Sequence, residues 1–368
     1  MRVLITGTEG YIGCLMAPAI AACGHEVVGL DTGYFLDARL GSEPDAPLRV
    51  INKDLRHITR ADLEGFDAVI HLAGLSNDAM GQISRQVTYD VNHFGSLRLA
   101  ALAREAGVSR FVYASSCSVY GRSHEDIVTE TSRLDPQTDY ALCKMLDERE
   151  IGVLAGDGFS PTFLRNATAY GASPRMRFDL VVNNLAALAW TTKRLAMSSD
   201  GTPWRPIVHV LDICNAFRAV LDAPRDRIHN QIFNVGRTDE NYQIRQIADC
   251  LATEFTGCEV SYGATDRDQR SYRVSFEKIS RDLPGFRCNW DLWRGATQLH
   301  ELFERVQLTT EMFRFRAFTR LAQLNHLIQT GAIDADFFWK GAQGEAPSAT
   351  TRRRARGSEP RSAHPSRE

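Results

Sequence analysis

Val3-Leu4-Ile5-Thr6-Gly7-Thr8-Glu9-Gly10-Tyr11-Ile12-Gly13 stands almost at the start of the chain. Its apolar, partly β-branched opening reads as a strand, and the three glycines that follow lead into a helical pattern at G-x-x-G-x-x-G spacing. Gly7 allows a tight turn after the strand, Gly10 lets backbone approach a phosphate group, and Gly13 lets helix and strand pack closely. The start of such a helix offers unpaired N–H groups and the positive end of its dipole. The stretch, with Tyr11 and Ile12 inside it, is therefore a candidate cradle for a pyrophosphate. Glycines alone would also suit a plain turn, so their context decides: a strand before, a helix after, and Asp31 closing the next strand. A carboxylate there accepts hydrogen bonds from adenosine ribose hydroxyls and repels a 2′-phosphate, which points to NAD over NADP. The plainer alternative for Asp31 is a turn aspartate beside Gly33.

Working outward, strand-like runs recur at Glu26–Leu30, Arg49–Asn52, Ala68–Ala73, Phe111–Ser115 and Thr162–Asn166, with helical patterns between them, notably Tyr89–Ala106 and Gln137–Leu154. This alternation predicts parallel strands joined by crossover helices, an α/β Rossmann-type doubly wound sheet. The runs are continuously apolar, as expected where both sheet faces are covered. With 368 residues, the chain exceeds what one core usually organises. We expect a dinucleotide-binding domain over 1–168, and Ile207–Leu221 and Ile232–Val235 read as elements that rejoin the sheet (a returning segment of about 207–236). A smaller α/β substrate lobe takes in 169–206 and 237–340, with one amphipathic helix over Phe313–Leu327. The Arg-, Ser- and Pro-rich 341–368 reads as a disordered tail.

Composition narrows the function class. A net charge of -2 argues against a nucleic-acid partner, and no apolar run reaches the roughly 20 residues a membrane helix needs. Arg2 leads directly into the first strand, so no signal peptide is expected. The eight cysteines lack any C-x-x-C pair, which suggests neither a metal site nor a disulfide framework. Reduced thiols in a cytoplasmic protein fit best.

Tyr140-Ala-Leu-Cys-Lys144 places a phenol and an ammonium on one helix face, one turn apart. The cation lowers the phenol's pKa, so that it can exchange a proton with a substrate hydroxyl or carbonyl near neutral pH. Alone, this spacing is an ordinary helix face. It gains weight from Ser115-Ser116-Cys117-Ser118-Val119-Tyr120-Gly121 at the carboxyl end of the fifth strand, the edge at which open α/β sheets bind ligands. Ser116 can hydrogen-bond the same reacting oxygen, with Ser115 as its rival. The loop after the fourth strand holds Ser76, Asn77 and Asp78; Asp78 is either an additional acid/base or a loop-stabilising residue. His71 and His209 read as structural residues, and Cys117 and Cys143 as small buried thiols.

In order and spacing, T-G-x-x-G-x-x-G, His71-Leu72-Ala73-Gly74, S-S-x-x-V-Y-G and Y-x-x-x-K resemble the extended short-chain dehydrogenase/reductases. Within them the chain is similar to the NAD-dependent nucleotide-sugar epimerase/dehydratase family, typified by UDP-glucose 4-epimerase, from Met1 to about Gly236 and more weakly to about Ile279. The resemblance implies that Ser116, Tyr140 and Lys144 are catalytic, with Tyr140 the acid/base and Lys144 also holding the nicotinamide ribose. It implies cofactor contacts at Gly7, Gly10, Tyr11, Ile12, Gly13, Asp31, Asp54, Leu55, Leu72, Ala73, Gly74, Asn92 and Ser115. It places the nucleotide sugar against Ser76, Asn77, Thr168, Asn184, Arg205 and Arg270, the two arginines facing its diphosphate, and implies a homodimer through the helices Tyr89–Ala106 and Gln137–Leu154. Three departures stand out: Thr168 replaces the family's asparagine, Pro206 follows Arg205 in place of Asp, and Cys117-Ser118 occupy the places where sugar 4,6-dehydratases carry Asp-Glu. The reading is a C4 epimerase, with a ketosugar reductase or dehydrogenase, and then a sugar dehydratase or a non-catalytic NAD-binding scaffold, as its rivals.

Overall fold

The computed structural model describes residues 1–41, 48–76, 84–123, 125–264 and 270–340; the Arg-rich segment after 340, and also Asn77 and Asp78, lie outside them. Six strands in chain order follow the expected runs: β1 Arg2–Thr6, β2 Glu26–Asp31, β3 Arg49–Asn52, β4 Ala68–His71, β5 Arg110–Ser116 and β6 Ser160–Asn166. Together with Gln231–Val235 they build a seven-stranded sheet, ordered (Gln231–Val235)-β6-β5-β4-β1-β2-β3. Every pairing within it is parallel. All residues of β4 and β6 are buried, because helices cover both faces and each buried Val, Ile or Leu side chain contributes about 1.5–3 kcal/mol.

Strand order reverses between β1 and β4. Loops leaving the two strands in opposite directions open a crevice at their carboxyl ends, where such sheets bind ligands. Helix α1 (Gly13–Ala22) starts on one side of that crevice. Helix α2 (Arg85–Tyr89) and α3 (Gly95–Glu105) run on through a π-helical turn at Asp90–Phe94, an irregularity often found at functional sites. Beside them, α4 (Asp139–Gly152) carries the Tyr–Lys pair.

Past β6 the outcome differs from the sequence expectation in two places. Of the returning segment, only Gln231–Val235 joins the large sheet, next to β6. Trp204–His209 instead pairs with Thr168–Tyr170 and Asn241–Gln243 in a separate three-stranded sheet. Helix Val210–Asp222 then lays Ile213, Ala216, Phe217 and Val220 on the large sheet's core. The expected helix over Phe313–Leu327 is also broken, into Thr310–Arg314, a 3₁₀ turn at Arg316–Phe318 and a helix over Arg320–Gln329. Extended backbone at Phe315 and Thr319 lets Phe318 pack against Phe178, their ring centres 5.3 Å apart. Helix Arg320–Gln329 then turns toward Tyr34 and Leu75, burying Leu324 and Leu327 there.

Candidate active site

Local chemistry explains the cradle. Gly7 has φ +80°, and a Cβ there would stand 2.8 Å from Ala73 N; one on Gly13 would stand 2.0 Å from Gly7 O. Only glycine permits the two loops and α1 to approach this closely. The Asp31 carboxylate accepts from Glu9 N at 2.9 Å and Gly33 N at 2.8 Å, tying β2's end to the glycine loop. Burial pushes the Asp31 carboxyl above its usual range, against the pull of those two N–H groups. The hydroxyl of Tyr11 donates to Gly171 O at 2.7 Å, joining the loop to the segment after β6.

Across the crevice, Ser115 and Ser116 end β5. Their hydroxyls part company: Ser115 donates to Glu148 at 2.5 Å, whereas Ser116 accepts from Ser118 N at 3.1 Å. Glu148 is in turn held by the buried guanidinium of Arg165, at 2.7 Å, so Ser115 is committed to the core. On α4, Lys144 is 6% exposed, and its Nζ lies 5.6 Å from the centre of the Tyr140 ring. Burial lowers its pKa to about 8, opposed by Asp147, Cys143 and Glu148. Lys144 Nζ also donates to Tyr113 OH at 3.0 Å, Tyr113 donates to Asp147, and Asp147 meets His93 Nδ1 at 2.6 Å. This buried chain leads from the crevice to Glu150, 3.5 Å from His93 Nε2.

One cavity of about 670 Å³ collects nearly all the expected residues: Gly7, Gly10, Tyr11, Ile12 and Gly13, Asp31, Asp54 and Leu55, Leu72 to Gly74, Ser76, Ser115, Ser116, Tyr140, Lys144, Thr168, Asn184, Arg205 and Arg270. Arg205 Nη1 donates to Trp204 O at 2.8 Å and to Arg270 O, which draws the two arginines together. Asp54 lines the wall with its carboxylate gripped by Arg56, at 2.7 and 3.0 Å. Asn92 stands behind the wall. Its amide accepts from Leu75 N at 2.7 Å and donates to Leu75 O at 3.1 Å, so it props the loop and is not a lining residue. Sequence reading missed Arg177, which grips Asp179 at 2.9 Å and Ser76 Oγ at 3.0 Å; it also missed Arg320, Tyr113, Asp147 and His93. The arginine–aspartate spacing in Arg177-Phe-Asp179 was the one local signal available.

The donor set suits a polar dinucleotide-sized ligand. Among the lining residues, Ser118 Oγ, Asn166 Oδ1 and Arg320 Nη1 are buried without a hydrogen-bond partner. Other expectations resolve as structural. His71 is held between Thr6 at 2.7 Å and Ser96 at 2.8 Å, with burial lowering its pKa to about 3. His209 stacks on Trp290 with ring centres 4.0 Å apart. Cys117 donates to Arg165 O at 3.2 Å, and burial pushes its thiol pKa up, as it does for Cys143; none of the eight cysteines forms a disulfide. Among the described residues no helix is long and apolar enough to cross a membrane, and no cluster of three or more metal-ligating side chains occurs.

A glycine cradle at the reversal of strand order, facing a tyrosine and lysine one helical turn apart, defines a dinucleotide enzyme of the extended short-chain dehydrogenase/reductase type. A model of the NAD dependent epimerase/dehydratase family matches residues 3–236, and the chain belongs to that family of NAD-dependent enzymes. It is 26% identical over 301 residues to UDP-glucose 4-epimerase of Corynebacterium glutamicum, covering 77% of this chain and 90% of the relative. It is 25% identical over 291 residues to UDP-N-acetyl-alpha-D-glucosaminuronate decarboxylase of Bacillus cytotoxicus, covering 76% and 84%. Among solved structures, MoeE5 in complex with UDP-glucose and NAD superposes with a TM-score of 0.71 at 27% identity, covering 84% of this chain and all of that one.

Proposed function

We propose that this protein is a nucleotide-sugar epimerase acting at C4 of the sugar. The observation that carries the reading is the shared cavity: the glycine cradle and the Ser116–Tyr140–Lys144 group line the same space as Arg205 and Arg270. Bound NAD supplies the hydride acceptor and donor. Tyr140 takes the proton of the sugar hydroxyl and later gives it back, while the Lys144 ammonium favours the phenolate electrostatically. Ser116 donates a hydrogen bond to the reacting oxygen. Arg205 and Arg270, planar donors, pair with the diphosphate and fix the sugar's position. Turning of the freed keto-sugar before hydride returns inverts the centre. Dehydration through an acidic pair is disfavoured, since Cys117 and Ser118 hold those places and the Cys117 thiol is buried and tied to Arg165 O.

A second reading, net oxidation or reduction of the sugar, is favoured by one feature. The chain Lys144–Tyr113–Asp147–His93 is a route by which a proton can leave or enter the crevice, which a dehydrogenase needs and an epimerase does not. Purified protein incubated with a panel of UDP-sugars separates the two. An epimerised product with no change at the reduced-nicotinamide absorbance band supports the epimerase; stoichiometric growth or loss of that band supports the oxidoreductase and removes the first reading. We further infer a homodimer through α2–α3 and α4, where Phe94 and Val153 remain exposed. Light scattering should give twice the chain mass, and a monomer would refute the dimer.

A further inference from the structure

Helix Arg320–Gln329 places a guanidinium where no local motif announces one. Arg320 is 4% exposed, and its Nη1 is buried without a hydrogen-bond partner. The side chain lies 3.9 Å above the Phe35 ring and lines the cavity beside Asp31, Arg177 and Asp179. The nearby carboxylates are already engaged: Asp31 by Glu9 N and Gly33 N, Asp179 by Arg177 at 2.9 and 3.0 Å. Burial and the neighbouring Arg177 push the Arg320 pKa down to about 9, against the pull of Asp179 and Asp31. A buried cation without a hydrogen-bonded partner is costly to keep, and an anion entering the cavity would relieve that cost.

The segment that delivers Arg320 is sewn to the loop after β2. Gln323 donates to Tyr34 O at 3.0 Å, Tyr34 donates to Phe337 O, and Trp339 Nε1 donates to Thr32 O at 2.7 Å. Arg56 covers the Phe338 ring at 3.6 Å, and Arg316 meets Asp37 at 3.1 Å. These contacts lay residues 316–339 across Thr32–Asp37, immediately past the carboxylate that faces the adenosine ribose.

We propose that Arg320 is the counter-cation of the cofactor's diphosphate, delivered to the cradle by the C-terminal segment. A planar fork of N–H donors suits diphosphate oxygens, and the glycine loop offers backbone N–H groups but no side-chain cation of its own. The placement over Phe35 and beside Asp31 favours the dinucleotide over the nucleotide sugar, which Arg205 and Arg270 face. The inference rests on NAD being the bound cofactor.

The test uses the full chain freed of nucleotide, the variants Arg320→Met and Arg320→Lys, and calorimetric titration with ADP-ribose, adenosine and UDP. Arg320→Met should weaken ADP-ribose roughly 10- to 100-fold, the loss typical of a charged hydrogen bond, and leave adenosine and UDP unchanged. Its melting temperature without ligand should stay the same or rise, because an unpaired buried charge is gone. Arg320→Lys should recover part of the ADP-ribose affinity. Unchanged ADP-ribose binding in Arg320→Met overturns the proposal. So does a loss that falls on UDP, or a drop in melting temperature accompanied by loss of all three ligands. Wild-type protein that fails to bind ADP-ribose would remove the NAD reading itself, a result distinct from either.

Discussion

The two walls of the cavity are built in different ways. The wall proposed to hold the cofactor comes from strand ends and the turns directly after them: the glycine loop after β1, Asp31 at the end of β2, Leu72–Gly74 after β4, Ser115 and Ser116 at the end of β5. Each is placed by a neighbouring strand of one parallel sheet. The wall proposed to face the substrate draws Thr168, Asn184, Arg205 and Arg270 from four separate segments, held by contacts such as Arg205 to Arg270 O and Asn184 to Phe178 O at 2.8 Å. A wall fixed by backbone register tolerates little change in shape, whereas a wall of side chains from scattered segments can change its ligand without changing the fold.

The largest effect should come where the walls meet. Tyr140→Phe removes the proton-exchanging group and should lower turnover about 10²–10⁴-fold while NAD remains bound at full stoichiometry; turnover near wild type would break the link between the phenol and the chemistry. On the cofactor wall, Gly13→Ala drives a Cβ to 2.0 Å from Gly7 O. It should cost about 1–3 kcal/mol of stability as an overpacking change, read by denaturant unfolding, with NAD affinity falling alongside. On the wall proposed to face the substrate, Arg205→Leu should weaken UDP-sugar binding roughly 10- to 100-fold, as lost charged hydrogen bonds do, with a modest drop in melting temperature from the unpaired Trp204 and Arg270 carbonyls and NAD content nearly unchanged. If Arg205→Leu shed NAD instead, the division between the walls would be wrong.

The smallest effect sits behind the cavity. The Asp147 carboxylate holds the His93 imidazolium pKa above its ordinary value. A histidine pKa raised by folding contributes stability that is fully present below about pH 6.5 and is lost as pH rises through the folded value. NMR titration of wild-type protein should therefore give His93 an elevated pKa, and Asp147→Asn should bring it down. An equal titration in both proteins would show that the Asp147 carboxylate does not set the His93 charge.

Much of the cofactor wall could be read from the chain alone, because glycine spacing, a strand-closing Asp31 and the Tyr140–Lys144 interval are local patterns with local causes. Asn92 shows the limit. It falls at the expected place on its helix, yet a π-helical turn and the backbone of Leu75 take up its amide. Ile207–Leu221 reads as an element that rejoins the large sheet, but nothing in its composition says that Trp204–His209 enters a different sheet and that Val210–Asp222 is a helix. Arg320 is the extreme case, a lone arginine in an amphipathic pattern with no motif around it.

By itself, then, the order of residues determined the parallel sheet, the glycine cradle and the phenol–ammonium pair, since each depends on a few neighbouring residues and the period of strand or helix. Tertiary structure alone decided that Ser115 turns to Glu148 while Ser116 stays at the crevice, that Lys144 connects to His93, and that the C-terminal segment carries Arg320 to Phe35. Those outcomes depend on which buried polar groups find partners across long stretches of chain. That is settled by the desolvation cost of leaving them unpaired, a quantity defined only once the whole chain has packed.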